Sequence, residues 1–174
     1  MEKFGGFQGV LDAPHEELTK VEGLRDNTAT FVGLVKQCAA LYLRGRTLRG
    51  KTINSTRALL DYCRLAMEGL RDEHFRAIFL NAQNEIMADE VIFEGTVNQS
   101  AVYPRKVMER ALAHKAVSLI FVHNHPGGSP RPSQDDKRLT NQLVAASRSL
   151  NIHVLDHLII AKGGHFSFME SGLL

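Results

Sequence analysis

His123 and His125 are separated by one residue, and Asp136 follows ten residues later in the run HNHPGGSPRPSQDD. The stretch that leads into them, VSLIFV at residues 117–122, is short, β-branched and nearly free of polar residues. That composition suits a strand buried on both faces. Side chains alternate across a strand, so both imidazoles project from one side and can reach the same ion. Pro126 ends the strand, a glycine- and proline-rich loop follows, and Ser133 reads as the N-cap of the next helix. Asp136 then falls in the first helical turn, where the helix dipole favours a carboxylate. Two ring nitrogens and one carboxylate oxygen would hold a divalent cation and leave a fourth position for water. That is the arrangement of a catalytic zinc rather than of a structural one, which closes all four positions. A plainer reading of the same residues is a capping box, in which Ser133 and Asp136 only satisfy backbone donors. The pair of histidines at strand spacing, the loop and the acidic helix start together favour the metal.

The elements around this run must place it. Leu18, Val21, Phe31, Leu34, Val35, Cys38, Leu41 and Leu43 recur mostly at helical spacing around a break at Gly23, which predicts two helices and a tight turn over residues 15–46. Residues 1–14 hold several glycines without a period and read as a poorly anchored start. Residues 44–54, RGRTLRGKTIN, concentrate Lys, Arg and Gly as an exposed connection does, and the domain boundary is placed there: a helical element at 1–50 and a metal-binding domain at 51–174. Ser55 is the expected N-cap of a helix carrying Leu59, Leu60, Cys63, Met67 and Leu70 on one face. Strands over 75–80 and 85–93 form a hairpin about residues 81–84, residues 95–103 read as extended, and a helix is expected over 105–114. A helix with Leu139, Leu143, Val144 and Ser147 on its inner face, and a final strand at 153–161, complete an α/β pattern.

Bulk properties narrow the class. With 44% hydrophobic and 23% charged residues over 174 positions, the chain has the composition of a folded globular protein. Lys and Arg number 21 against 19 for Asp and Glu, so a formal charge of +2 gives no broad field for nucleic acid. No apolar run approaches the roughly 20 residues that span a bilayer, so no membrane role is expected. Cys38 and Cys63 are far apart and lack CxxC spacing, which fits reduced thiols and a cytoplasmic location.

The H-x-H, ten residues, D spacing with a Ser three before the Asp resembles the signature of JAMM (MPN or JAB) metalloprotease domains. Further segments, GTV at 95–97, YPRKV at 103–107, PSQDD at 132–136 and LDHLII at 155–160, resemble the bacterial RadC group of that superfamily over roughly residues 52–174. The resemblance implies an α/β fold of MPN/JAMM (cytidine-deaminase-like) type, a mixed sheet flanked by helices, with zinc on His123, His125 and Asp136. It also implies an upstream glutamate that acts on the bound water. Glu85, Glu90 and Glu94 are the candidates weighed for that role; Glu90 is preferred, sharing a strand face with Glu94 by period two. Ser133 is the candidate donor to a developing oxyanion, and Asp156 with His157 a candidate pair that orients a ligand from behind.

The expected activity is hydrolysis of a peptide or isopeptide bond in a peptide or protein substrate by metal-activated water. Two alternatives remain open. One is a DNA-associated accessory or scaffold protein related to repair or recombination, and the other a metal-dependent nuclease. The stretch from Leu18 to Arg25 resembles the turn of a helix-hairpin-helix, but Arg25 stands where the second glycine of a phosphate-binding hairpin is needed. A two-helix element that packs over the metal domain is the expected role of this part.

Overall fold

The computed structural model describes residues 2–48, 56–95 and 102–174. Its centre is a five-stranded mixed sheet in the order β2-β1-β3-β4-β5. β1 (Glu73–Leu80) and β2 (Ile86–Gly95) form the expected antiparallel hairpin. Asn81 closes its turn, the side-chain oxygen accepting from the N–H groups of Gln83 and Glu85, both at 2.9 Å. β3 (Ser118–Asn124) pairs antiparallel with β1 and parallel with β4 (His153–Ala161). Every residue of β3 is buried, as the unbroken apolar run requires of a central strand. β5 (Gly164–Ser167) pairs antiparallel with β4, so β4 is not the closing strand that the sequence pattern predicts.

Alternation along the strands sorts the core into two layers. Phe75, Ala77, Phe79, Leu119 and Phe121 face α5 (Pro104–Ala113) and α6 (Gln134–Arg148), packing on Val107, Ala111 and Leu143. Ile78, Leu80, Ile120, Val122, Leu158 and Ile160 face the opposite way, onto Leu59, Cys63 and Met67 of α4 (Thr56–Met67). Burying a side chain such as Phe79 contributes about 1.5–3 kcal/mol, so these two layers carry the fold. A buried charge on the α4 side is Asp89. It is paired as a buried carboxylate must be: Arg76 donates to both its oxygens at 3.0 and 2.8 Å, and the Tyr62 hydroxyl donates as well.

β2 departs from strict alternation. Phe75 pairs with Phe93 but Arg76 pairs with Val91, leaving Ile92 as the extra residue of a β-bulge. The bulge inverts the facing of everything beyond it. Glu90 pairs with Ala77 on the α5 face, whereas Glu94 pairs with His74 and points the other way. The expectation that both share a face is therefore corrected, because period two holds only within an unbroken ladder.

The N-terminal part is more ordered than its composition suggests. A single 3-10 turn (Glu2–Phe4) and α1 (Phe7–Asp12) occupy the segment read as unanchored. Asp12 at the end of α1 meets Lys36 Nζ at 2.7 Å, and the same ammonium donates to the carbonyl of Glu68 at 2.7 Å. α2 (His15–Thr19) and α3 (Asp26–Leu48) are the two expected helices, with Gly23 at φ +84° in the turn between them. α3 runs on into the stretch read as a connection, while the rest of that stretch and the Ser55 cap lie outside the described residues. So does most of the segment expected to be extended after β2. Phe31, Leu34, Leu41 and Tyr42 of α3 are exposed, so the helical period identifies the helix without identifying its buried face. Among the described residues no helix is long and apolar enough to cross a membrane.

Candidate metal centre

β3 ends at the protein surface with its last imidazoles on one side, as the alternation predicts. His123 Nε2 and His125 Nε2 lie 2.9 Å apart, and Asp136 places Oδ1 3.2 Å from His123 Nε2 and Oδ2 3.4 Å from His125 Nε2. These are the only three metal-type ligands that converge among the described residues, each offering one atom within 4.8 Å of the others. His123 is buried; His125 and Asp136 are half-buried and open to a cavity.

The remaining polar atoms show which lone pairs are free. His125 Nδ1 lies 2.9 Å from the carbonyl oxygen of Ser129, which can only accept, so Nδ1 carries a proton and in the neutral ring Nε2 keeps the lone pair. The loop that supplies this carbonyl is pinned from outside, as Gly163 N–H in the β4–β5 turn donates to Gly128 O at 3.1 Å. His123 Nδ1 meets His157 Nε2 at 2.8 Å. Asp136 Oδ2 accepts from Ser133 N–H and from Ser133 Oγ–H, both at 2.7 Å, and Asp136 N–H donates to Ser133 Oγ at 3.1 Å. The capping box is thus present. It does not compete with a ligand role, because the box occupies Oδ2 and leaves Oδ1 turned to His123.

The electrostatics favour a cation between these groups. Burial alone would raise the Asp136 pKa, but the adjoining imidazoles of His123 and His125 and the hydrogen bonds from Ser133 outweigh it and hold the carboxyl far below its usual range. The His125 pKa is raised, first by the Asp136 carboxylate and against burial, with Glu73 adding to the same direction. Two ring nitrogens at 2.9 Å need either a proton or a cation between them, since two facing lone pairs repel. A nitrogen, nitrogen, oxygen set with one side open to a cavity is the donor chemistry that zinc takes in catalytic sites.

The cavity measures 1160 Å³ and is lined by Glu73, Phe75, Phe93, Tyr103, Ser133, Arg138 and Gln142 besides the triad. On the far side of His125 and Pro126 a second cavity of 920 Å³ lies beneath the N-terminal helices, with Asp12, Pro14 and Lys162 in its wall. The helical attachment therefore reaches the metal loop itself.

Glu90 is not brought to the triad. Arg110 holds it through Nε at 2.6 Å and through Nη2, and His114 Nε2 approaches at 2.6 Å; none of these residues lines the triad's cavity. The Arg110 guanidinium, with His114, holds its pKa down to about 2, which is the state of a structural ion pair. Glu94 is exposed and faces His74 at 3.5 Å, and Glu85 accepts from Asn81 Nδ2 at 2.7 Å. The glutamate on the cavity wall is Glu73. β1 pairs Phe75 with His123, and continuing that register by two residues sets Glu73 across from His125 on the same face. A strand begun at Phe75 leaves Glu73 out, and period two carried two residues upstream is the signal that finds it. Asp156 and His157 also part company. His157 touches His123, whereas Asp156 accepts from its neighbour's N–H at 2.7 Å, from Ser167 Oγ at 2.7 Å and from Met169 N–H at 3.0 Å, pinning β5.

A five-stranded mixed sheet flanked by helices, with two strand-end imidazoles and a helix-cap carboxylate at its open end, defines a JAB-type (MPN) domain, a class whose members are generally hydrolytic. The family of RadC-like JAB domains matches residues 53–173, and the chain belongs to that RadC family. It is similar along its whole length to a "UPF0758 protein" of Rhodobacter capsulatus, with 42% identity covering 100% of the chain and 81% of that protein. A second "UPF0758 protein", from Ruegeria pomeroyi, is 40% identical over 100% of the chain and 78% of its own length. One from Paracidovorax citrulli is 39% identical over 98% and 72% respectively.

Proposed function

We propose that this protein is a zinc-dependent hydrolase that cleaves a peptide or isopeptide bond. The observation that carries the reading is the convergence of His123, His125 and Asp136 at the mouth of a cavity that has Glu73 on its wall. Held by His123 Nε2, His125 Nε2 and Asp136, zinc would act as a Lewis acid and lower the pKa of water toward neutrality. Glu73 takes up the proton and returns it to the leaving amine, the role first sought in Glu90. Ser133 lines the same cavity, and its Oγ–H rotates from Asp136 Oδ2 to the substrate's developing oxyanion, while Ser133 N–H keeps the carboxylate in place. Phe75, Phe93 and Tyr103 give the wall an apolar side on which a substrate chain can lie.

Charge favours a peptide over DNA. Among the described residues, Glu73, Asp135 and Asp136 line the cavity against one arginine, Arg138, which is itself paired with Asp135. Arg105, another candidate phosphate contact, pairs with Glu109. A nuclease cleft would present free cations along a backbone track. Free Cys38 and Cys63 fit a reducing compartment, and we assign the protein to the cytoplasm.

The test is elemental analysis joined to a cleavage screen on peptides, isopeptides and DNA. The wild-type chain should hold one zinc and His123→Ala none; Glu73→Gln should keep the metal and lose cleavage. A metal-free wild type, or a Glu73→Gln variant that cleaves normally, would overturn the reading.

A further inference from the structure

His123 offers one ring nitrogen to the proposed metal and the other to the interior, where a chain of hydrogen bonds decides its protonation. His157 Nε2 lies 2.8 Å from His123 Nδ1, and His157 Nδ1 lies 2.7 Å from Thr140 Oγ1. Thr140 Oγ1 in turn lies 2.6 Å from the carbonyl oxygen of Asp136, one helical turn back. A carbonyl only accepts and a hydroxyl has one proton, so Thr140 donates to Asp136 O. Thr140 must then accept from His157 Nδ1–H. His157 is fully buried among the rings of Phe75, Phe121 and Phe168, at 5.5, 6.0 and 4.8 Å between centroids, surroundings in which the neutral ring is favoured over an imidazolium. With its single N–H committed to Thr140, Nε2 is an acceptor, and His123 Nδ1–H is the donor to it. What remains on His123 is the Nε2 lone pair, aimed at His125 and Asp136.

We propose that Thr140 and His157 are positioning residues that lock His123 in the tautomer able to bind metal, and that they thereby set the affinity of the site. The proposal rests on the metal-centre reading and adds to it. Its geometric basis is a closed circuit: His123 on β3, His157 on β4, Thr140 on α6 and the backbone of Asp136, so that two of the three ligands are tied together behind the ion. Partners of this kind commonly alter metal affinity by about 10- to 100-fold when removed.

Thr140→Val keeps the shape and deletes the relay's only carbonyl-directed proton; Thr140→Ser restores it. His157→Phe fills the ring box without an acceptor. In chelator competition, Thr140→Val and His157→Phe should bind zinc about 10- to 100-fold more weakly than wild type, with Thr140→Ser close to wild type. Proton–nitrogen spectra of the imidazoles in the zinc-loaded wild type should place the proton of His123 on Nδ1 and that of His157 on Nδ1. Those spectra need no variant, so misfolding of a mutant cannot obscure the answer. Wild-type affinity in Thr140→Val, equal weakening in Thr140→Ser, or a His157 proton on Nε2 would overturn the proposal. Absence of zinc from the wild type would instead overturn the metal-centre reading on which it rests.

Discussion

Asp136→Asn asks one side chain to do two jobs that an amide cannot combine. The carboxylate accepts two hydrogen bonds from Ser133 on Oδ2 and presents Oδ1 to the His123 imidazole. An amide has one accepting end. If its oxygen stays with Ser133, the NH2 group points at the two imidazole nitrogens and occupies the cation's place with a donor. If it turns round, two donors of Ser133 face a third, and the cap is lost. In the metal-free chain the first arrangement costs less, so the helix cap survives and stability should fall by no more than about 1 kcal/mol. With zinc the difference becomes large. A ligand at a hundred times its dissociation constant stabilises the folded state by about 2.7 kcal/mol. For 174 residues that corresponds to a rise of about 5–11 °C in melting midpoint. Thermal unfolding of stripped protein with and without added zinc, alongside a metal count, reads this directly: the wild-type midpoint should climb and that of Asp136→Asn should stay still. A variant midpoint that climbs as far as the wild-type one would refute the division of the carboxylate between cap and metal.

Two further outcomes follow from groups away from the triad. Glu90 has its pKa lowered from 4.5 to about 2 in the folded chain, so its contribution to stability is complete above the unfolded value and disappears as pH falls toward 2. Glu90→Gln should therefore cost about 1 kcal/mol at neutral pH, reduced by solvent at this partly exposed pair, and nothing near pH 2. Urea titrations across that range will show it, and a pH-independent deficit would sink the ion-pair account; zinc content and any cleavage should be unchanged. Gly69 sits at φ +84° with its missing Cβ 3.1 Å from the Cβ and carbonyl oxygen of Asp12. Gly69→Ala should lose at least about 1–2 kcal/mol from the backbone conformation and push α1 away from the α4–β1 turn. Faster proteolysis within residues 2–12 together with a lower melting midpoint is the expected result, and a variant indistinguishable from wild type would count against that close contact.

The parts of this site that could be read from the sequence are those encoded locally. The buried run of β3, the proline after the second imidazole and the Ser133 cap lie next to one another in the chain, so alternation and capping rules are enough to bring His123, His125 and Asp136 within 4.8 Å of one another. Long-range pairing left no such local mark. Glu73 reaches the cavity because β1 lies antiparallel to β3, and His157 reaches His123 because α6 returns the chain to a parallel strand. The misjudged facing of Glu94 relative to Glu90 has one cause, the extra residue at Ile92, which shifts the pairing without changing the composition of the strand. On α3 the period of the apolar residues revealed a helix, yet Phe31 and Leu41 stand in solvent, since which side is covered depends on neighbours.

All three candidate ligands come from a single strand, loop and helix, whereas Glu73 arrives from another strand. On the proposed reading, keeping an ion and exploiting it therefore depend on separate parts of the chain. By the same reading, a descendant that lost the acidic opening of β1 would keep its three candidate ligands and its packing while losing cleavage. Within such a lineage, metal content would say little about which members still work, and the residue that begins the first strand would say most.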